Sequence, residues 1–256
     1  MIHSFLLIGQ SNMAGRGAIE EAVPVNTDHI KVMRNGRWFR MFRPINPDRS
    51  FAGSSLAESF AEAYANKHGV DVGLVPCADG GTRLDQWQPG SILFDNAVYH
   101  AKLAQRTSTI AGILWHQGES DCADHLAKTY AQRFTVMINA LREELGLWDV
   151  PVLVGGLGDY LSEYRSVKEG VETNPCQGYA QVNAQLQQLA ATLPRTGFVS
   201  AEGLTPKDDN LHFNAKSLYE FGLRYFEVFE TLRDPNKIFE EKPHPDAAIR
   251  TAMELL

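Results

Sequence analysis

Three cysteines in 256 residues are too few for a disulfide scaffold, and Cys77, Cys122 and Cys176 form no C-x-x-C pair. Reduced thiols suit a cytosolic protein. Positive charge is also scarce: 24 Lys and Arg stand against 31 Asp and Glu, a net charge of -7, with no dense basic tract. That excludes the electrostatic footprint of a nucleic-acid binder and predicts no nucleic-acid partner. No apolar run is long enough to span a bilayer; the N-terminal one, residues 2–8, is far too short, and no membrane partner is expected. It has no basic region before it and no small-residue cleavage site before Gly9, so no signal peptide is predicted and a cytoplasmic location is expected. Neither G-x-x-x-x-G-K-[ST] nor G-x-G-x-x-G surrounds Gly80-Gly81, which argues against a phosphate loop. No H-E-x-x-H or Cys/His zinc spacing occurs around His116 or His125. No metal and no organic cofactor is expected. Internal repeats and low-complexity tracts are missing too.

What is present is an ordinary globular composition, 44% apolar and 21% charged, of a length that fits one large domain. Apolar, β-branched runs alternate with amphipathic ones. Strands are predicted at 2–8, 70–78, 109–116, 150–157 and 197–201. Helices are predicted at 54–68, 93–105, 123–145, 179–193 and 214–232. A hairpin is expected around 30–33 and 38–42, with Asn35-Gly36 as its turn. Strand–helix alternation through the whole length predicts a parallel sheet covered on both faces, with one domain at 1–233. Residues 234–256 read as a tail packed on that domain, with a weak helical pattern after Pro245.

In open α/β sheets the chemistry lies beyond the carboxyl ends of the strands. Four polar loops fall there: Gly9-Gln10-Ser11-Asn12-Met13-Ala14-Gly15, then Ala78-Asp79-Gly80-Gly81-Thr82, then Trp115-His116-Gln117-Gly118-Glu119-Ser120-Asp121, and Asp208-Asp209-Asn210-Leu211-His212-Phe213. Ser11 could be a helix N-cap. It could equally be a nucleophile on a sharp turn, with first-turn N–H groups aimed at a developing negative charge. The motif is not the G-x-S-x-G elbow, since Met13 stands where the second glycine would be. A carboxylate three residues before His212 could lie beside it at a helix start, accept its Nδ1–H and leave Nε2 for the serine; Asp208 and Asp209 both compete for that role. Donors for a tetrahedral oxyanion could be the Ser11 N–H, an N–H of Gly80 or Gly81, and the Gln117 side-chain amide. Strand alternation sends His116 and Gln117 to opposite faces. Cys77 and Cys122, near these loops, read as small buried apolar groups rather than nucleophiles.

Together the four blocks closely resemble the sialate O-acetylesterase-like branch of the SGNH hydrolases, which includes the acetyl xylan esterases of carbohydrate esterase family 6. The matching blocks run from Ser11 to His212, most of the chain. The resemblance implies a three-layer α/β/α flavodoxin-like fold with a central parallel sheet of about five strands. It implies Ser11, His212 and Asp209 as the catalytic triad, and an oxyanion hole from the N–H of Ser11, a Gly-Gly N–H (Gly81 favoured over Gly80) and Gln117, which replaces the superfamily's Asn. It leaves Glu119 and Asp121 as residues that brace the loops, and Gln10, Arg83, Gln86 and Trp87 as substrate contacts.

The expected reaction is removal of acetyl groups from an acetylated sugar or oligosaccharide through an acetyl-enzyme. A general short-chain esterase, thioesterase or lipase on the same scaffold is the rival enzyme reading, and a carbohydrate- or flavin-binding module that kept the fold is the rival of another class. The Gln86–Gln88 loop favours a polar substrate over a lipid.

Overall fold

The structure is a computed structural model that describes residues 1–237, 239 and 241–243. In chain order the elements are β1 (Ile2–Gly9), α1 (Ser11–Ala14), β2 (Ile30–Arg34), β3 (Arg37–Arg40), α2 (Leu56–His68), β4 (Asp71–Pro76), α3 (Ile92–Ala104), β5 (Thr109–His116), α4 (Asp124–Ala127), α5 (Tyr130–Leu145), β6 (Val152–Gly155), β7 (Ser166–Lys168), β8 (Val171–Thr173), α6 (Tyr179–Thr192), β9 (Thr196–Val199) and α7 (Ala215–Leu232).

The main sheet runs β3-β2-β4-β1-β5-β6-β9, with every neighbouring pair parallel except β2–β3. Its five strands from the strand–helix alternation are joined by the hairpin. Ile30 and Val32 of β2 are fully buried and pair beside β4, while β3 is largely exposed, as suits an edge. The strand β1 lies at the centre, and Phe5, Leu6, Leu7 and Ile8 are buried whichever way they point. Phe5 faces one helical layer, with ring contacts to Phe60 of α2 and Phe229 of α7 at 4.8 and 5.5 Å. Trp115 of β5 faces the other, 5.4 Å from Phe134 of α5. Chain ends of the helices follow local rules. Ser55 and Glu58 form a capping box on α2, which stops at Gly69 in the left-handed region. Asn214 caps α7.

Two features depart from the sequence reading. The helix expected over 123–145 breaks into α4 and α5, because Thr129 leaves helical geometry and its hydroxyl bonds back to the carbonyls of His125 and Leu126. The small β7–β8 hairpin was not expected. Its strands have three residues each, and Val167 and all of β8 are exposed, so no apolar alternation marks them; only the Glu169-Gly170 turn, both residues at positive φ, does.

After α7, Lys237 pairs with Asp149 at 2.8 Å and Phe239 lies 4.0 Å, centroid to centroid, from His3. His244 and the pattern after Pro245 lie outside the described residues. No helix among the described residues is long and apolar enough to cross a membrane.

Candidate active site

The centre of the sheet delivers Ser11. Gly9, the last residue of β1, has φ +129°, and a Cβ there would sit 2.1 Å from the His116 carbonyl oxygen of β5. Only glycine allows this close approach. The chain then turns at Gln10, whose backbone carbonyl accepts from the N–H of Met13 and Ala14, and Ser11 opens the four-residue α1. The cap is therefore Gln10, and the Ser11 hydroxyl is left for other work. With only four residues, α1 supplies single N–H groups rather than a helix dipole of any size.

Ser11 Oγ lies 2.9 Å from His212 Nε2, and His212 Nδ1 lies 2.8 Å from Asp209 Oδ2. Asp209, rather than Asp208, meets the imidazole. The two residues do not sit at a helix start, since α7 begins only at Ala215. They lie on a tight loop closed by the Pro206–Phe213 bridge and by the Lys207 N–H donating to the His212 carbonyl at 2.7 Å. Asn210, at φ +50°, makes the reversal, a conformation Asn tolerates better than most residues. Asp209 Oδ1 also accepts the N–H of Leu211 and His212. Partial burial would raise the Asp209 carboxyl, but these hydrogen bonds and the neighbouring imidazole outweigh it and hold the pKa down at about 2.

Asn12, the residue after Ser11, ties this loop to β5. Its Oδ1 accepts the Phe213 N–H and its Nδ2 donates to Glu119 Oε1 at 2.6 Å. Glu119 thus braces the Ser11 turn and, through Asn12, the His212 loop. Asp121 is fully buried. It accepts from the Leu84 N–H, from Gln117 Nε2 and from Arg133, which joins three segments.

On the other side of Ser11 the Gly80-Gly81 loop is held by groups the sequence reading did not single out. Arg16 and Asp48 form a two-pronged ion pair at 2.6 and 3.0 Å, with side chains only 3% and 4% exposed. Asp48 Oδ2 accepts the Gly80 N–H as well, and Arg49 Nη2 donates to Asp79 Oδ1 and to the Gly80 carbonyl. Gly80 is a correction to the sequence reading, because its N–H is engaged by Asp48. For the N–H groups of Ser11 and Gly81, the described residues provide no partner.

Gln117 is a second correction. It is wholly buried, and its amide donates to the Thr82 carbonyl and to Asp121 while its Oε1 accepts from Tyr130. Both amide hydrogens are engaged, so none remains for an oxyanion. The free amide belongs to Gln10. Its Oε1 faces the N–H groups of Gly118 and Ser120 at 3.4 Å, and its Nε2 has no partner among the described residues, in a side chain that lines the cavity at Ser11.

That cavity has a volume of about 370 Å³, within the size range of small-molecule sites. Around Ser11 and His212 it is walled by Gln10, Arg16, Gly80, Gly81 and Glu119, and its outer rim carries Arg49, Phe51, Tyr164 and Pro175. Arg83, Gln86 and Trp87 do not line it. Trp87 is 1% exposed, packed edge-on against Trp115 with its Nε1 donating to Thr82; Gln86 accepts the Arg83 N–H in a short turn on the surface. Sequence gave no signal for Phe51 or Tyr164, which lie in irregular segments without periodicity.

Comparisons with known proteins give the chain its family. The family model for carbohydrate esterase, sialic acid-specific acetylesterase, matches residues 1–231. A probable carbohydrate esterase of Arabidopsis thaliana is 29% identical over 252 residues, covering 88% of this chain and 89% of the plant protein. The crystal structure of that plant protein aligns with a TM-score of 0.77 at 28% identity, over 90% of this chain and 98% of the other. NanS aligns with a TM-score of 0.67 at 15% identity, over 90% and 97% of the two chains. A carbohydrate acetylesterase from Xanthomonas citri aligns at 0.60 and 18% identity, over 90% of this chain and 57% of the other. At those identities the last two show a shared fold. The chain is a carboxylic ester hydrolase and belongs to the carbohydrate esterase, sialic acid-specific acetylesterase, family.

Proposed function

We propose that this protein is a serine-dependent carbohydrate O-acetylesterase, with Ser11 as nucleophile, His212 as general base and Asp209 as the carboxylate that orients the imidazole. The observation that carries this is the unbroken hydrogen-bond chain from Ser11 Oγ through His212 to Asp209 at the floor of a cavity. His212 Nε2 takes the hydroxyl proton as Ser11 Oγ attacks the acetyl carbonyl carbon. The oxyanion accepts hydrogen bonds from the N–H of Ser11, the N–H of Gly81 and the Gln10 amide. His212 then returns the proton to the departing sugar alkoxide, leaving an acetyl ester on Ser11. A water, deprotonated by the same imidazole, attacks that ester; the bond to Ser11 Oγ breaks, His212 returns the proton to Oγ, and acetate is released. Asp209, ionised and backed by two backbone N–H groups, stabilises the imidazolium in both steps.

Membership of a sialic acid-specific acetylesterase family supports a short acyl group over a lipid chain. The test compares p-nitrophenyl acetate with p-nitrophenyl octanoate for the wild type and Ser11→Ala. Activity on acetate should exceed that on octanoate and fall by about 10⁵–10⁶-fold in the variant. Octanoate preference, or a variant that keeps its rate, would falsify the reading. A cytoplasmic location is proposed with it, supported by the low cysteine count, three in 256 residues. Recovery of the protein from the culture medium would count against that location.

A further inference from the structure

Isolated exposed apolar side chains are common and need no explanation. Phe51 is different in its position. Of the large apolar side chains exposed among the described residues, it alone lines the cavity that holds Ser11 and His212, with 68% of its surface open. Its ring also meets a charged group. The buried Arg16 guanidinium lies 5.3 Å from the ring centroid, and Arg16 is itself pinned by Asp48. Phe51 therefore belongs to the same braced unit that positions the Gly80-Gly81 loop. Tyr164 reaches the same rim from the segment after β6, while Phe51 comes from the segment after β3; in the sheet these strands lie on opposite flanks of β1. An aromatic ring supported by a cation, open to a cavity and adjacent to a nucleophile is suited to a flat ligand with an apolar face. In a carbohydrate that face is the patch of C–H groups on a pyranose ring.

We propose that Phe51 is a sugar-stacking platform: it binds the pyranose ring that carries the acetyl group, and so selects acetylated sugars over simple acetates. This rests on the carbohydrate esterase reading above and goes beyond it by naming the residue that reads the sugar.

The experiment measures acetate release from an O-acetylated methyl xylopyranoside and from ethyl acetate, which has no ring to stack. Wild type, Phe51→Ala, Phe51→Leu and Phe51→Trp are compared, with Tm recorded for each. In Phe51→Ala the ratio of kcat/KM on the sugar to kcat/KM on ethyl acetate should fall about tenfold, the loss lying in KM, in line with the worth of a ring contact. Trp should restore the ratio and Leu, apolar but not flat, should not. A ratio that stays within twofold of wild type in Phe51→Ala overturns the platform, as does full rescue by Leu. A wild type that turns over ethyl acetate but not the acetylated pyranoside overturns the carbohydrate reading itself, and the platform with it.

Discussion

The two sides of Ser11 are built in opposite ways. On one side, Asp209 and His212 are three residues apart, and the loop that joins them is closed by its own backbone hydrogen bonds and one left-handed Asn. On the other, the Gly80-Gly81 loop owes its shape to Arg16, Asp48 and Arg49, drawn from a long irregular stretch and from the turn after β1. The proton-moving side is local and half open to solvent, with Asp209 41% exposed. The proposed oxyanion side is non-local, and the ion pair behind its loop is buried. The carboxylate that stays ionised through turnover stands beside water, whereas the loop that must not move is held by an ion pair sealed from it.

Damage to the open side should therefore appear in rate rather than stability. Asp209→Asn keeps an oxygen for the two backbone N–H groups but presents an amide to His212 Nδ1. It should lower kcat by about 10³–10⁴-fold through the wrong tautomer, with Tm nearly unmoved. The linkage has a definite sign. Since the folded pKa, about 2, lies below the usual 3.8, the carboxylate's contribution to stability is complete above that usual value and is lost as pH falls through 2. With Asp209 this exposed the loss is shallow, and wild type and Asp209→Asn should converge in acid-unfolding curves only below about pH 3. A variant that loses several degrees of Tm but little kcat would reverse the contrast drawn between the two sides.

The buried side should fail the other way. Asp48→Asn leaves the Arg16 guanidinium buried without a counter-charge, and breaking such a pair costs about 3–5 kcal/mol. For a chain of this size that is a Tm drop on the order of 10 °C, measured by thermal denaturation. The accompanying loss of kcat should be smaller, about tenfold or less, because the Gly81 N–H is displaced rather than removed. If Asp48→Asn unfolds at the wild-type temperature, the pair is no brace and the Gly80 loop stands on its own backbone.

The same contrast separates what is legible in the sequence from what is not. Period and strand-end clustering placed the sheet, Ser11 and His212, since each of those signals is local: a buried apolar run ending in Gly9, a carboxylate near a histidine. The Arg16–Asp48 pair reaches across the β2–β3 hairpin, 32 positions apart, and no spacing rule marks it. Trp87 is expected as a substrate contact with the resemblance, since aromatic rings suit sugar faces; its burial depends on Trp115, which a one-dimensional reading does not bring near it. Phe51 had the opposite problem, an unremarked aromatic in an irregular stretch that the fold carries to the cavity rim.

Gln10 and Gln117 give the sharpest version of the comparison, since the two amides are chemically the same and differ only in what surrounds them. Gln117 is a core group whose amide hydrogens join Thr82 and Asp121. Gln10 has its oxygen turned to Gly118 and Ser120 and its nitrogen left over. Gln10→Glu keeps acceptor oxygens for those two N–H groups while removing the donor, so the fold should hold. Loss of one oxyanion donor should then lower kcat by about 10²–10³-fold with little change in KM. Gln117→Met should do the reverse, since it strands the Thr82 carbonyl and an Asp121 oxygen in the core: a Tm loss worth about 1–3 kcal/mol and a smaller loss of rate. Steady-state kinetics and thermal melts on the two variants separate the assignments. A Gln10→Glu enzyme with wild-type kcat would mean that two backbone N–H groups suffice for the oxyanion. A Gln117→Met enzyme that melts normally yet turns over slowly would return the donor role to Gln117, and would require its amide to swing free of Asp121 during the reaction.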